Sequence, residues 1–348
     1  NYTKVTAPVE FGGLGFDYKW NMGWMNDFTN YMRCDPYFRK NNYGGLTFSM
    51  LYAYSENFVL VFSHDEVVHG KGSMMGKMPG ETLEKKAENL RAAYGFMMSH
   101  PGKKLLFMGQ DFGQIDEWNE NASLEWELLQ YPLHKNMQSY VRALNHMVLE
   151  HPALYEEDFD PSGFEWINCS YYEESMVLYV RRSKDGKETL LFICNFDNVE
   201  HEKFRLGVPF AGKYKEIFNS DAREFGGQGR INARAKSSKK IPWDDRENSI
   251  ECNIPPMSFL VFSCTPEAGK KKAGRAAKSS VKEAAAKKEP ETGVRKTAAV
   301  KEEPKKLSTA REEPKKLSTT KEEPKKIMEA KSRERTQKTA QSFKRTES

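Results

Sequence analysis

The segment FSHDEVVHGK, running from Phe62 to Lys71, gathers the densest set of chemically capable side chains in the chain. An apolar run at 58–62 leads directly into His64 and Asp65, so an imidazole and a carboxylate emerge together at the end of a strand. At the carboxyl end of a parallel strand, that is where β/α barrels build active sites. An ordinary strand end with a capping Asp and a loop histidine has the same pattern, and spacing alone does not separate the two. A metal site is disfavoured. Helical zinc motifs place histidines at i and i+4, whereas His64 and His69 are five apart, about 140° around a helix at ~100° per residue. Glu66, Asp111, Asp116 and Glu117 are further carboxylates in loops, none in a pattern that marks a nucleophile.

Elements of alternating type must position these groups. From about residue 11 to 152, short apolar strands alternate with helical patterns, the signature of β/α units around a parallel sheet. The clearest strands are 58–62 and 104–108, with a weaker one at 15–20. Between the clear strands, 81–99 has helical spacing at Leu83, Ala87, Leu90, Tyr94 and Met97 and stops at His100, Pro101 and Gly102. A second helix is expected at about 137–149. After Pro152 the pattern becomes period-two runs at 164–169, 176–181, 189–195, 214–219 and 257–264, with a hairpin signal at Asp185-Gly186. The expected domains are 1–152, 153–267 (all-β) and a charged tail at 268–348.

The 348 residues carry a net charge of +5, but it is unevenly spread. From Ala268 onward there are 25 basic and 12 acidic residues, leaving 29 and 37 in the first 267, so the body is acidic at −8. The overall basic balance is therefore no argument for nucleic acid. The tail repeats KEEPKKLSTA, REEPKKLSTT and KEEPKKIMEA, has one Phe (Phe343) and no Trp or Tyr, and is expected to be disordered and solubilising rather than a binder of polyanions or anionic lipid. Cys34, Cys169, Cys194, Cys252 and Cys264 are odd in number and unpaired in spacing, which points to reduced thiols and a cytoplasmic setting. No apolar run approaches the ~18 residues of a membrane span. The chain begins at Asn1 without the features of a secretory signal, and a missing upstream portion is expected.

Several blocks in colinear order, GGLGFDYKWNMGWMND, FSHDEVVHGKGSMMGKMPG, LRAAYGFMMSHPGKKLLFMGQDFGQ, DEWN and DFDPSGFEW, resemble the C-terminal half of the bacterial 1,4-α-glucan (glycogen) branching enzymes of the α-amylase glycoside hydrolase superfamily. The resemblance runs from about Phe11 to Thr265. It implies an α/β fold: the C-terminal part of a (β/α)8 TIM barrel, followed by an all-β sandwich and then the Lys-rich tail. It also implies a retaining transfer that cuts an α-1,4 link and re-forms it as an α-1,6 branch, with an α-glucan substrate and no metal or organic cofactor. His64 matches the family histidine that binds substrate hydroxyls. Asp65 matches the carboxylate that distorts the sugar and stabilises an oxocarbenium-like transition state.

The nucleophile and the acid/base of that family lie on earlier barrel strands, and no segment here matches them. Both are therefore expected upstream of residue 1, and this chain alone is expected to be inactive. Gln110, Asp111, Trp118 and Asn119 follow the last barrel strand and are candidates to line the acceptor side. Trp20, Asn21 and Trp24 invite the same reading, although tryptophans so placed more often pack helices onto a sheet. Two rivals stay open: a related superfamily hydrolase, and a catalytically inactive glucan- or polyanion-binding fragment.

Overall fold

A computed structural model describes residues 4–267. The tail read from residue 268 onward lies outside the described residues. Three parallel strands, β1 (Lys19–Trp20), β2 (Phe58–Phe62) and β3 (Lys103–Leu106), are hydrogen-bonded in that order, with Val59 opposite Lys103 and Phe62 opposite Leu106. Helix α1 (Met22–Arg33) follows β1, and a short α2 (Gly44–Thr47) leads towards β2. A single turn, α3 (Met74–Lys77), and the long α4 (Leu83–Ser99) separate β2 from β3, and α5 (Pro132–Glu150) closes the layer.

Local chemistry accounts for these boundaries. The Asn21 side chain accepts from the Trp24 amide and starts α1, Thr82 does the same for α4 through Lys85, and Pro132 opens α5 at a position whose amide needs no partner. Helix α4 ends where Pro101 and the left-handed Gly102 follow it. The long helices and β2 agree with expectation to within a few residues, but α1 was not foreseen. Its apolar positions Trp24, Phe28 and Tyr31 follow helical spacing and are wholly buried, with Trp24 stacked on Phe28 at 5.2 Å. Trp24 is thus a core residue, whereas Trp20 is 44% exposed.

The second half is a six-stranded antiparallel sheet in the order β4 (Phe164–Tyr171), β5 (Met176–Arg182), β6 (Thr189–Asn195), β11 (Ser258–Pro266), β8 (Gly212–Asn219) and β9 (Lys236–Ser237). Two further strands, β7 (His201–Val208) and β10 (Asn248–Ile254), pair with each other, Leu206 opposite Ile250. The expected hairpin is present: Gly186 is left-handed at φ 69°, and the Asp185 carboxylate accepts from the Ser183 hydroxyl and the Lys187 amide.

Successive residues of a strand face opposite sides, and here both sides are covered. Val177, Tyr179, Phe192, Phe259 and Val261 join one core with Trp24, Phe62, Leu90 and Phe96. Met176, Leu178, Ile193, Leu260 and Phe262 join another with Leu206, Val208 and Ile250 of the paired strands. This double coverage departs from the period-two expectation: β5 and β6 are buried at nearly every position rather than at alternate ones.

The seam between the helices and the sheet is very close. A Cβ placed on Gly95 would lie 2.3 Å from Phe259 Cγ, so only glycine lets α4 approach β11. Buried arginines tie the seam through backbone carbonyls: Arg181 donates to Gly163 and Ser99 and pairs with Asp158 at 3.0 Å, Arg91 donates to Ser220, and Arg39 donates to Phe196 and Met32. Burial would raise the carboxyl of Asp158, but Lys104, Arg181 and Lys103 outweigh it and hold the group below its usual range.

Candidate active site

Strand β2 ends at Phe62, and Ser63 caps a tight turn at His64–Glu66. The Glu66 side chain turns inward and accepts from both the Ser63 amide and the Ser63 hydroxyl. This reciprocal capping satisfies the strand end and leaves the next two side chains facing out. His64 Nε2 and Asp65 Oδ1 stand 3.4 Å apart, each side chain about half exposed at 46% and 52%. The signal for the cap, Ser-x-x-Glu, was present in the sequence; it assigns Glu66 to structure rather than chemistry.

Aromatic rings back this pair. His64 lies 5.9 Å from Phe107 and 6.3 Å from Trp118, and those two rings meet edge to face at 5.1 Å. Phe107 extends β3 by donating its amide to the Phe62 carbonyl at 2.9 Å. The Trp118 amide donates to the Val67 carbonyl at 2.8 Å, so the loop after β3 lies alongside the loop after β2. Two strand ends are thereby brought to one place, with an imidazole, a carboxylate and an indole in contact or nearly so.

The remaining expected site residues take different positions. Gln110 is buried: its Nε2 donates to the Phe62 carbonyl at 3.1 Å, and its own carbonyl accepts from the Tyr94 hydroxyl. It braces the end of β2 from behind. Asp111 faces α5, where Gln138 donates to it at 3.4 Å. Asn119 is exposed and its side chain accepts from the Asn121 amide at 2.9 Å, forming a turn beside Trp118. Trp118 and Asn119 line a cleft of about 370 Å³ together with His69, Glu117, Ser123 and Glu125. Trp118 is therefore the wall between that cleft and the His64–Asp65 pair. A larger groove of about 740 Å³ lies between α5 and β8 and contains none of the expected site residues.

Two residues that sequence reasoning left without a role, Lys77 and Glu117, also converge here. The Lys77 ammonium and the Glu117 carboxylate both contact the backbone of residues 66–72. Backbone partners have no side-chain signature, so no spacing rule points to these two. Among the described residues, no three His, Cys, Asp or Glu side chains are grouped to hold a metal ion.

The β half, at residues 166–265, matches the family described as the alpha amylase C-terminal all-beta domain. Over 259 residues, the chain is 51% identical to the 1,4-alpha-glucan branching enzyme GlgB of Aquifex aeolicus, covering 74% of this chain and 41% of that protein. The GlgB enzyme of Halothermothrix orenii is 50% identical over 258 residues, with the same coverage. This chain thus spans about two fifths of the length of these relatives. Among solved structures, that of AmyP in complex with maltotriose superposes with a TM-score of 0.51 at 11% identity, covering 72% of this chain and 51% of that one, a likeness of fold alone. Among the described residues, no helix is long and apolar enough to cross a membrane.

Proposed function

We propose, from the premise that this chain is homologous to the 1,4-alpha-glucan branching enzymes, that it supplies the transition-state-stabilising side of a glucan-branching site. The parallel strands β1, β2 and β3, each joined to the next through helices, are read as three consecutive strands of a (β/α)8 barrel whose remainder lies outside these residues. The outer edges of β1 and β3 have no strand partner among the described residues, which suits continuation of the sheet on both sides.

The reaction is a retaining double displacement. An α-1,4 link is cut, the severed chain is held as a glycosyl-enzyme, and a 6-hydroxyl accepts it as an α-1,6 branch. The nucleophilic and acid/base carboxylates come from polypeptide outside this chain. As the anomeric carbon takes on positive charge, Asp65 offers a fixed carboxylate and His64 hydrogen-bonds a ring hydroxyl, contacts that strengthen as the sugar flattens. Trp118 gives an aromatic wall for a sugar face, and Asn119 offers hydrogen bonds at the cleft beyond it. Gln110 and Asp111 act from behind, holding the strand end and the following turn. The unpaired cysteines, three of them buried, agree with a reducing, cytoplasmic working compartment.

The observation that carries this reading is the half-exposed His64–Asp65 pair at the carboxyl end of a parallel strand, in a chain about half identical to branching enzymes. The test uses the polypeptide as its gene encodes it, acting on amylose. Asp65→Ala is expected to lower branch formation by more than about 100-fold, with the melting temperature within about 2 °C of the parent. Near-normal turnover in that variant would sink the assignment. Release of reducing ends without new branches in the parent would favour the hydrolase reading instead.

A further inference from the structure

We infer that Lys77 and Glu117 are positioning residues that together lock the backbone of the loop carrying His64 and Asp65. The inference rests on the function proposed above, since it concerns the same loop. Beyond the turn at 64–66, His69, Gly70 and Gly72 all have positive φ, at 40°, 80° and 70°. Closely spaced left-handed residues turn backbone N–H groups towards a common point and make a concavity for an anion.

Glu117 fills that concavity. Its carboxylate accepts from the Gly70 amide at 2.7 and 2.9 Å and from the Gly72 amide at 3.0 Å. These contacts hold its carboxyl below the usual range. Elsewhere on the loop, the Lys77 ammonium donates to the carbonyls of Lys71 at 2.8 Å, Gly72 at 2.7 Å and Glu66. An ammonium has three hydrogens, and here there are three backbone acceptors for them. Because Glu66 ends the turn that carries His64 and Asp65, and Gly72 ends the loop that continues from it, one cation ties the turn to the far end of the loop. Burial, reinforced by Arg33, lowers the pKa of Lys77 to about 8, the mark of a charge withdrawn from water.

The two clamps share a base. The Ser73 hydroxyl accepts from the Gly76 amide within α3, which carries Lys77, and donates to the Ile115 carbonyl at 2.7 Å, two residues before Glu117. Lys71 adds a closure within the loop, donating to the Asp65 carbonyl. The left-handed His69 fits this picture, because a non-glycine residue holds that conformation only when its surroundings over-determine it. A stabilising carboxylate acts only if held within roughly half an ångström of its place, and although Val67 anchors the start of the loop in the core, residues 69–72 bring no buried apolar side chain to do this. The polar clamps take on that task.

The test measures amylose branching by the gene-encoded polypeptide, with Glu117→Leu, Glu117→Gln, Lys77→Met and Asp65→Ala compared to the parent. Glu117→Leu and Lys77→Met are expected to lower kcat about tenfold or more, with KM changed by no more than about twofold. Glu117→Gln should recover part of the loss, because its amide oxygen still accepts from Gly70 and Gly72. Hydrogen exchange of those two amides should speed in the Leu variant at an unchanged melting temperature. If Lys77→Met does not fold, the Glu117 pair decides alone. A kcat within twofold of the parent in Glu117→Leu overturns the proposal. So does a loss that merely tracks a lowered melting temperature with Gln no better than Leu. Asp65→Ala separates the two levels. If it stays active, the functional reading falls; if it is inactive while Glu117→Leu works normally, only the clamp falls.

Discussion

Along the seam, Gly95 lies against Phe259, Phe192 stacks on Phe259 at 5.9 Å, and the surrounding side chains are apolar and fully buried. Between Ser63 and Gly72 the side chains that matter are half exposed, and the backbone is held by Glu66, Lys77 and Glu117 through hydrogen bonds. The seam depends on shape and on fully buried arginine contacts, and loses stability when either changes. The loop depends on a few directed polar contacts, so, on the proposed function, its failure should appear as lost chemistry on a protein that still folds. Stability and function are thereby separated in space, and substitutions in the two regions should report on different quantities.

The largest effect is expected at Arg181. Replacing it with Ala removes one of the two cations paired with buried Asp158, leaving Lys103, and the donor to Ser99 and Gly163, a cost of about 3–5 kcal/mol in urea unfolding. Activity per folded molecule should stay near that of the parent. A large fall in kcat at unchanged stability would break the comparison. Gly95→Ala comes next, at about 1–3 kcal/mol, because its new methyl must displace the Phe259 ring or the helix. If it costs nothing, the seam is looser than its 2.3 Å approach indicates.

A further effect, near neutral pH the smallest of the three, concerns pH. His100 ends α4, buried between Ser49 and the Pro101 carbonyl. Burial, with Lys104 and Arg181 nearby, lowers its pKa to about 3. The unfolded chain takes up a proton near pH 6.5 while the folded one does not, so the stabilising contribution is complete above pH 6.5 and is lost as pH falls towards 3. The slope is about 1.4 kcal/mol per pH unit below 6.5, and His100→Gln should flatten it in unfolding measured between pH 7 and 5. An unchanged slope would show that His100 is protonated while folded. Asp65→Ala and Glu117→Leu sharpen the contrast from the other side, since both are expected to leave the melting temperature almost unmoved.

How far the sequence could be read follows the same division. Strands β2 and β6 were readable to the residue because continuous apolar runs bounded by polar ones have one economical placement. Strands β7 and β10 were not. β7 mixes Glu202, Lys203 and Arg205 with apolar residues, and the pair carries a register shift near Cys252. Helix α1 was not read from the sequence, although the favoured reading of Trp24, packing a helix onto the sheet, matches its place in the core. Of the expected site, His64, Asp65 and Trp118 converge, while Gln110 and Asp111 support from behind.

By itself the sequence determined the alternation of elements, the boundary near Pro152 where helices give way to strands, and the delivery of His64 and Asp65 to a strand end. These follow from hydrophobic period and capping chemistry, which act over a few residues and are written in side-chain type. Only the tertiary structure decided that β5 and β6 are covered on both faces, that Gly95 must be glycine, and that Lys77 and Glu117 close on the loop from 11 and 47 residues away. Those contacts join side chains to backbone groups that every residue carries, so their specificity lies in position, and position is set only once the chain has folded.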